Sequence, residues 1–386
     1  MDAKAAAREC VDQARSTLVP LSHRIHGHPE LAFQEEKSAA WLCEALDDGG
    51  FRVVRGVCEL PTAFSARAGS GPLHIAVCAE YDCLPGIGHA CGHNVIAASA
   101  VGAGLALARV ADDVGLTVTV IGTPAVESGG GKILLLERGA FAGVHTAMMV
   151  HPAPLDMVDP MMIAWSQFDV HYHGKEAHAS GFPELGINAL DALTIAQTAI
   201  GLLRQHMRPT DRVHGIITNG GAAPNVVPAH TSGRFMVRAE TTGDLAEIQG
   251  KVFRCFEAGA LATGSRLEME TVSPPYAEVK HDMEIAALYR RNAEQLGRFF
   301  PDLGPMARRA AGSTDMGNVS LAMPSIHPTI GLGCYPIVNH QPEFAAYCAT
   351  PVADQAIIDG AVAMAWTAID LATDPALSGR LLQRPQ

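Results

Sequence analysis

Apolar and polar positions in the first 150 residues predict alternating helices and buried strands. Mostly apolar runs at 73–79, 116–122 and 147–150 indicate strands that are buried on both faces of a sheet. Residues 95–110 are nearly all Ala, Val, Gly and Leu, which predicts a helix packed against that sheet. Helical spacing and breaker residues predict the remaining elements: helices at 3–26 and 35–49, a helix that follows Lys132 and ends at Arg138, and short strands at 51–57 and 63–68.

The pattern changes after about Ile163. The next predicted elements are a strand at 167–172, a helix at 188–207, strands at 212–218 and 231–240, a helix at 244–263 and a strand at 266–272. This order is the split βαβ plan of an α+β ferredoxin-like domain. Helices near 283–297 and 353–372 then restore the α/β character. We therefore expect an α/β protein with a discontinuous domain, 1–162 and 274–386, whose mostly parallel central sheet is flanked by helices, and an inserted domain at 163–273.

Size and charge narrow the class of protein. A chain of 386 residues is too long to fold around one ordinary hydrophobic core, which agrees with two domains. A formal net charge of -12 without a Lys/Arg cluster argues against nucleic acid and anionic membrane surfaces as partners. No apolar run reaches the roughly 20 residues that span a bilayer, and the first residues lack the apolar segment of a signal peptide. The sequence predicts a cytoplasmic protein.

Residues 79–99 contain the densest set of potential metal ligands. Glu80, Asp82, His89, Cys91 and His93 lie between a predicted strand and a predicted helix. Cys and His in such a loop suit a zinc-like divalent ion. The nine cysteines lack the regular spacing of a disulfide framework, so most are interpreted as small buried apolar residues. Cys91 is the exception, because glycines at 86, 88 and 92 permit a turn in which it can approach His93.

Further potential ligands follow other predicted strands. Glu127 comes after the strand at 116–122, His151 after the strand at 147–150, and His340 lies in a later turn-rich segment. The carboxyl ends of parallel strands meet at one edge of a sheet, so these groups can converge with Cys91 and His93. A single Cys-x-His pair is weak evidence for a metal, and 17 histidines make chance coincidences inevitable. Asp82 is interpreted as a residue that orients a ligand, whereas Glu80 and His89 receive no certain role.

Three other polar residues have ordinary structural interpretations. His178 in the segment 174–180 suits a surface histidine that caps a helix, Asn225 suits a turn, and Asp315 suits a helix N-cap. From the residues alone, each of these structural interpretations is simpler than a catalytic or binding role.

Four segments together resemble a known family. They are residues 26–31, 80–85, 89–94 and 312–320, read as HGHPEL, EYDCLP, HACGHN and GSTDMGNVS. The chain resembles the M20 metallopeptidases and amidohydrolases, in the branch with a Cys ligand that includes acyl-amino-acid hydrolases, p-aminobenzoyl-glutamate hydrolases and β-alanyl-lysine type dipeptidases. The resemblance implies a catalytic domain, an inserted lid and dimerisation domain, a homodimer, and two divalent ions of Zn, Mn or Co. It also implies that the metal ligands are Cys91, His93, Glu127, His151 and His340.

The resemblance also implies roles in the inserted domain. His178 matches a histidine that reaches a neighbouring subunit's site and holds the carbonyl oxyanion, and Asn225 matches a residue that binds the substrate near its carboxylate. The implied reaction is hydrolysis of an amide in a small N-acyl amino acid or dipeptide, in which the ions lower the pKa of bound water.

One position departs from the family pattern. The family has two successive glutamates, a general base and then a ligand, whereas this chain has Val126 followed by Glu127. A positioned base contributes about 10² to 10⁴-fold to rate. Three explanations stay open: the position is altered, another group such as Glu80, Asp82 or a histidine serves as base, or the reaction needs none. The alternatives to an amidohydrolase are a silent paralogue that binds metal and ligand, and different chemistry on the same scaffold, such as hydrolytic deamination or group transfer.

Overall fold

A computed structural model describes residues 2–304 and 311–383. The chain divides into two compact units, one formed by Met1–Met161 and Val279–Gln386 and the other by Met162–Glu278. The predicted inserted domain at 163–273 lies within the second unit.

The first unit contains a mixed six-stranded sheet and a separate pair of strands. Its strands are β1 Arg52–Arg55, β2 Phe64–Gly69, β3 Leu73–Ala79, β4 Leu116–Gly122, β5 Thr146–Met148, β6 His151–Ala153, β11 Ser325–Ile326 and β12 Thr329–Gly331. The order in the sheet is β1-β2-β4-β3-β5-β11. Strands β4, β3, β5 and β11 are parallel neighbours, whereas β2 runs antiparallel to β4 and to β1. The separate pair joins β6 to β12 in parallel.

Nine helices of the described part of this unit surround the sheet. They are α1 Ala3–His26, α2 Glu36–Asp48, α3 His93–Val114, α4 Gly131–Glu137, α7 Met283–Gln295, α8 Met316–Ala322, α9 Pro342–Tyr347, α10 Pro351–Thr373 and α11 Pro375–Leu382. Helix α3 packs on α1, α10, β3 and β4. Its small residues permit this close packing, since a Cβ on Gly102 would lie 2.8 Å from both Ala361 Cβ and Leu18 Cδ1. The composition that predicted a buried helix thus also sets how closely its neighbours approach.

Helices α3 and α10 are long and apolar enough to span a membrane by length and composition alone. The prediction that no segment reaches that threshold is therefore wrong, because scattered polar residues interrupt each apolar run without making the helix polar. Of the most apolar window, 83% is buried in α3 and 78% in α10, as in the core helices of folded domains.

The second unit is an antiparallel sheet with helices packed against it. Its elements are β7 Ala164–His173, α5 Ala189–Leu203, β8 Arg212–Asn219, β9 His230–Ala239, α6 Thr242–Thr263 and β10 Arg266–Thr271. The strands have the order β10-β7-β9-β8, which is the ferredoxin-like arrangement. Alternate residues of β7 (Phe168, Val170 and Tyr172) are buried in an apolar core, while the residues between them lie on the other face.

The observed elements differ from the predicted ones in several places, and three of these differences have a clear local description. The run 147–150 is not one strand, since β5 ends at Met148 and β6 begins at His151 to pair with β12. The helix predicted at 188–207 ends at Leu203, and Arg204–His206 form a 3₁₀ turn. The strand predicted at 51–57 is shorter because Gly56 adopts a left-handed conformation, with φ of 65°.

Candidate metal centre

The turn between β3 and α3 holds Cys91 and His93. Gly86, Gly88 and Gly92 all have positive φ, which confirms the prediction that glycines permit this turn. A Cβ on Gly92 would lie 2.4 Å from Pro152 Cγ, so only glycine fits beside that proline. His93 is the first residue of α3, and Cys91 precedes the helix. The two side chains therefore converge before regular helical spacing would separate them.

His151 completes a first group of potential ligands with Cys91 and His93. One ligand atom from each of the three lies within 4.8 Å of the other two. Cys91 Sγ is 3.4 Å from His151 Nε2. His151 Nδ1 donates a hydrogen bond to the carbonyl oxygen of Pro152 at 2.8 Å. This bond places the ring proton on Nδ1 and leaves Nε2 free to bind a metal.

Glu127 and His340 form a second group that also contains Cys91. His340 Nε2 lies 3.8 Å from Glu127 Oε1. His340 has a φ of 69°, which is unusual for a residue other than glycine. Its backbone N–H donates to the carbonyl oxygen of Ala90 at 2.8 Å, which ties its turn to the Cys91 loop. Because Cys91 belongs to both groups, the five side chains would offer two overlapping sets of three potential metal ligands.

Asp82 links the two groups from behind. Its Oδ1 is 3.0 Å from His93 Nδ1, and its Oδ2 accepts a hydrogen bond from the backbone N–H of Glu127 at 3.0 Å. The carboxylate is fully buried. These contacts would hold His93 with Nε2 toward the site and keep Glu127 in place, which is compatible with the orienting role expected for Asp82.

Burial suppresses charge on several of these side chains. Burial raises the pKa of Cys91 to about 12 and raises the pKa of Glu127, and it lowers the pKa of His151 to about 4. Glu127 Oε1 has no hydrogen-bond partner among the described residues although it is buried. A divalent cation favours thiolate, carboxylate and neutral imidazole, so it would satisfy all three groups at once. The donor set thus fits a metal.

Val126 is a buried residue, 8% exposed, in the turn that precedes Glu127. The neighbouring Ala125 has a φ of 61°, and its N–H donates to Glu35 Oε1 at 2.9 Å. Glu35 is itself buried, and burial followed by repulsion from Asp82 raises its pKa to about 7. The position that the family resemblance assigns to a proton carrier therefore holds an apolar side chain.

The sequence did not indicate that Lys132 forms buried ion pairs close to the proposed metal ligands. Lys132 Nζ lies 2.5 Å from Glu80 Oε1 and 2.8 Å from Asp315 Oδ1, and the lysine is fully buried. Asp315 occupies the N-cap position of α8, but its side chain makes no capping bond. The N-cap interpretation of its carboxylate is therefore wrong. The only sequence signal was a lysine in a glycine-rich turn, which is usually exposed.

The sequence also did not single out His327, which directly follows β11. It is buried, and its ring centroid lies 5.4 Å from that of His151. Burial lowers its pKa to about 3. Its place at the end of a strand was the signal that could have found it. His89, by contrast, was noted and is buried against His26, with ring centroids 6.1 Å apart.

His178 and Asn225 lie in the second unit. Both side chains are exposed. His178 Nδ1 accepts the backbone N–H of Gly181 at 3.0 Å, and Ala179 N–H donates to the carbonyl oxygen of Asn225 at 3.1 Å. His178 therefore organises a turn and does not cap a helix. Because Nδ1 is an acceptor, the neutral ring carries its proton on Nε2, where it can be donated.

Comparisons with known proteins agree with this geometry. A model of the M20 peptidases described as "Peptidase dimerisation domain" matches residues 165–264. The chain is 38% identical to an Xaa-Arg dipeptidase of Mus musculus over 97% of this chain and 90% of that protein. It is 34% identical to one of the subunits of the p-aminobenzoyl-glutamate hydrolase of Escherichia coli, over 67% of this chain and 58% of the relative.

A solved structure shares the fold. It is a dinuclear metal binding peptidase from the M20 family of Bacillus subtilis, with a TM-score of 0.65 and 22% identity, and the match covers 91% of this chain and 98% of the other. The extent and identity of the match to the mouse protein decide the family, and the donor groups agree with metal use. The chain belongs to the M20 family of metal-dependent peptidases and amidohydrolases.

Proposed function

We propose that this protein hydrolyses dipeptides that end in a basic residue, with two divalent ions held by the two ligand groups that share Cys91. The observation behind the proposal is the convergence of those five side chains in a chain that is 38% identical to an Xaa-Arg dipeptidase. Zn²⁺, Mn²⁺ and Co²⁺ are the proposed ions, because thiolate, imidazole and carboxylate ligands accommodate all three.

Each side chain has a defined task in this reaction. Bound ions supply a Lewis acid and lower the pKa of a water molecule. Asp82 holds His93 Nδ1 and the Glu127 backbone, so both ligands keep their orientation while substrate binds and leaves. In the proposed homodimer, His178 is the proposed hydrogen-bond donor, through Nε2, to the oxyanion that develops in the neighbouring subunit's site. Asn225 is the proposed contact for the substrate carboxylate.

A substrate panel tests the proposal. The purified full chain is loaded with each metal, its metal content is measured by elemental analysis, and release of the free amino acid is followed. We expect Xaa-Arg and Xaa-Lys to be cleaved faster than matched Xaa-Glu and N-acetyl amino acids. EDTA should abolish turnover, and added metal should restore it. A protein that binds no divalent ion contradicts the proposal, whereas ammonia without amino acid release indicates the alternative of deamination.

Val126 favours a second candidate, a paralogue that binds metal and ligand but turns over slowly. Substituting Val126→Glu tests it, and Val126→Gln is the control of matched size without a base. If the missing base limits the reaction, the glutamate variant alone gains about 10² to 10⁴-fold in kcat. If wild type is already fast and neither variant exceeds it, another group serves as base and the silent paralogue is contradicted.

We also propose a cytoplasmic homodimer that forms through the second unit. Strand β8 is an edge strand of its sheet, and Ile216 and Ile217 on it are 65% and 46% exposed. Exposed apolar residues on an unpaired edge favour pairing with another chain. Light scattering should give the dimer mass, and I216K/I217K should give the monomer mass. Cell fractionation tests the location.

A further inference from the structure

Three buried charged side chains contact one another in series, and one of them, Glu80, lies beside the proposed ligand His93. Glu80 follows β3, Lys132 belongs to α4, and Asp315 precedes α8. Lys132 Nζ contacts Glu80 Oε1 at 2.5 Å and Asp315 Oδ1 at 2.8 Å. The three side chains are at most 1% exposed. We call these residues the Lys132 triad.

The Lys132 triad has one positive and two negative groups, so it has a net charge of about −1 if both acids are ionised. Both carboxylate oxygens of Asp315 are occupied by Lys132, since Oδ2 accepts its backbone N–H at 2.8 Å. Glu80 Oε1 is occupied by the ammonium. Glu80 Oε2 is buried and has no hydrogen-bond partner among the described residues. Of the four carboxylate oxygens of the triad, Glu80 Oε2 is therefore the one without a hydrogen bond from a described residue, and desolvation of such an oxygen is costly.

Glu80 Oε2 faces the proposed ligand His93. It lies 3.6 Å from His93 Nε2, the ring nitrogen opposite the one that Asp82 holds. Glu127 Oε1 is also 3.6 Å from His93 Nε2 and is also buried without a partner among the described residues. Two ligands with bonds of about 2.1 Å to one tetrahedral ion lie roughly 3.4 Å apart. Glu80 thus has the same spacing to His93, and the same unsatisfied oxygen, as the residue that the family resemblance names as a ligand.

We propose that Glu80 is an additional carboxylate of the metal centre, which stabilises the ion on His93 through Oε2 while Lys132 and Asp315 act as positioning residues. The inference rests on the proposed metal-dependent function. It gives a purpose to the unbalanced charge, because a cation in front of Oε2 compensates it. It also explains why Lys132 binds one oxygen of Glu80 and leaves the other facing His93.

Metal affinity of Glu80→Gln tests the inference without using activity. Glutamine can still accept a hydrogen bond from Lys132, but it removes the charge. Affinities for Zn²⁺, Mn²⁺ and Co²⁺ are measured on the full chain by competition with a chelator. We expect binding that is about 10 to 100-fold weaker, as for other groups that support metal ligands.

Asp359→Asn is the matched control. Asp359 is a buried carboxylate in α10 that pairs with Arg298 at 2.9 Å, so its removal also breaks a buried ion pair in the same unit. We expect metal affinity within about twofold of wild type for this control. Equal weakening in both variants would mean that loss of any buried pair perturbs the site, and would overturn the inference.

A second variant keeps the test valid if Glu80→Gln does not fold. Glu80→Asp preserves the charge but shortens the side chain by one methylene, so the carboxylate cannot reach both Lys132 and the ion. Thermal unfolding of chelated protein monitors the fold. A folded variant with wild-type affinity overturns the inference alone, whereas wild type that binds no metal overturns the proposed function as well. Weakened binding supports the inference even if no dipeptide is cleaved.

Discussion

The two units differ in what they bury. The first unit buries charged side chains around the carboxyl end of β3, and those at most 1% exposed include Glu80, Asp82, His93, Lys132 and Asp315. The core of the second unit is apolar, and its buried polar side chains are hydroxyl groups and Asp211 among the described residues. Ion pairs of the second unit, such as Arg234 with Asp169, lie at the surface.

The second unit buries groups that favour stability, whereas the first unit buries charged groups that cost stability and that we assign to function. Burial of charge costs free energy unless each group is paired, and apolar residues of equal volume often stabilise a core better. The second unit follows that rule. The first unit departs from it in the region where the proposed metal ligands converge, so we attribute its buried charges to the proposed metal centre.

The largest expected effect concerns Lys132. Lys132→Met leaves Glu80 and Asp315 buried without a counter-ion, and should lower the free energy of unfolding by about 3–5 kcal/mol. The matched control is Lys251→Met in the second unit, where Lys251 pairs with Glu247 at 2.6 Å on an exposed helix surface. That change should cost at most about 0.5 kcal/mol. Urea unfolding measures both, and equal costs would remove the distinction between the units.

Substitution of a histidine should weaken metal binding in the first unit but not in the second. His93→Ala removes a proposed ligand of the first group, and we expect binding of one ion to weaken by about 100-fold or more, beyond the effect of a supporting residue. His171→Ala is the control. His171 stacks on His230 in the second unit with ring centroids 5.5 Å apart. Calorimetric titration with Zn²⁺ should show wild-type binding for the control. If the control also lost Zn²⁺ binding, histidines of both units would contribute to it, and this distinction between the units would be contradicted.

Asp82→Asn should have a smaller effect. The amide keeps the shape of the side chain but weakens the hold on His93 Nδ1 and on the Glu127 backbone, so metal affinity should fall about 10 to 100-fold. Chelator competition measures it. An unchanged affinity would show that the backbone carbonyl of Asp82, which is 2.8 Å from the same nitrogen, is sufficient to orient His93.

The smallest effect is expected at the surface of the second unit. Arg234→Ala should cost about 0.2–1 kcal/mol at pH 7. Hydrogen bonding from Arg234 lowers the pKa of Asp169, so the contribution is present above the usual Asp pKa and is lost as pH falls through the lowered value. The difference between wild type and variant should therefore shrink below about pH 4. Thermal unfolding from pH 7 to pH 3 checks this, and a constant difference would point to lost packing.

Local sequence patterns determined much of the fold and half of the centre. The strands at Leu73–Ala79 and Leu116–Gly122 have the predicted bounds, because short and mostly apolar runs between turn residues leave few alternatives. The turn that brings Cys91 to His93 was predictable from its glycines, since positive φ is a local property. The predicted strand ends, a turn-rich segment and the family resemblance together indicated the other proposed ligands, Glu127, His151 and His340.

Tertiary structure alone decided which distant groups meet. His151 is positioned by the pairing of β6 with β12, and no local pattern states that register. Lys132 joins Glu80 and Asp315 across 52 and 183 residues of sequence, and in the sequence it cannot be distinguished from an exposed lysine. Periodicity reports which residues are buried, but the partner that makes a buried charge tolerable depends on the order of the strands.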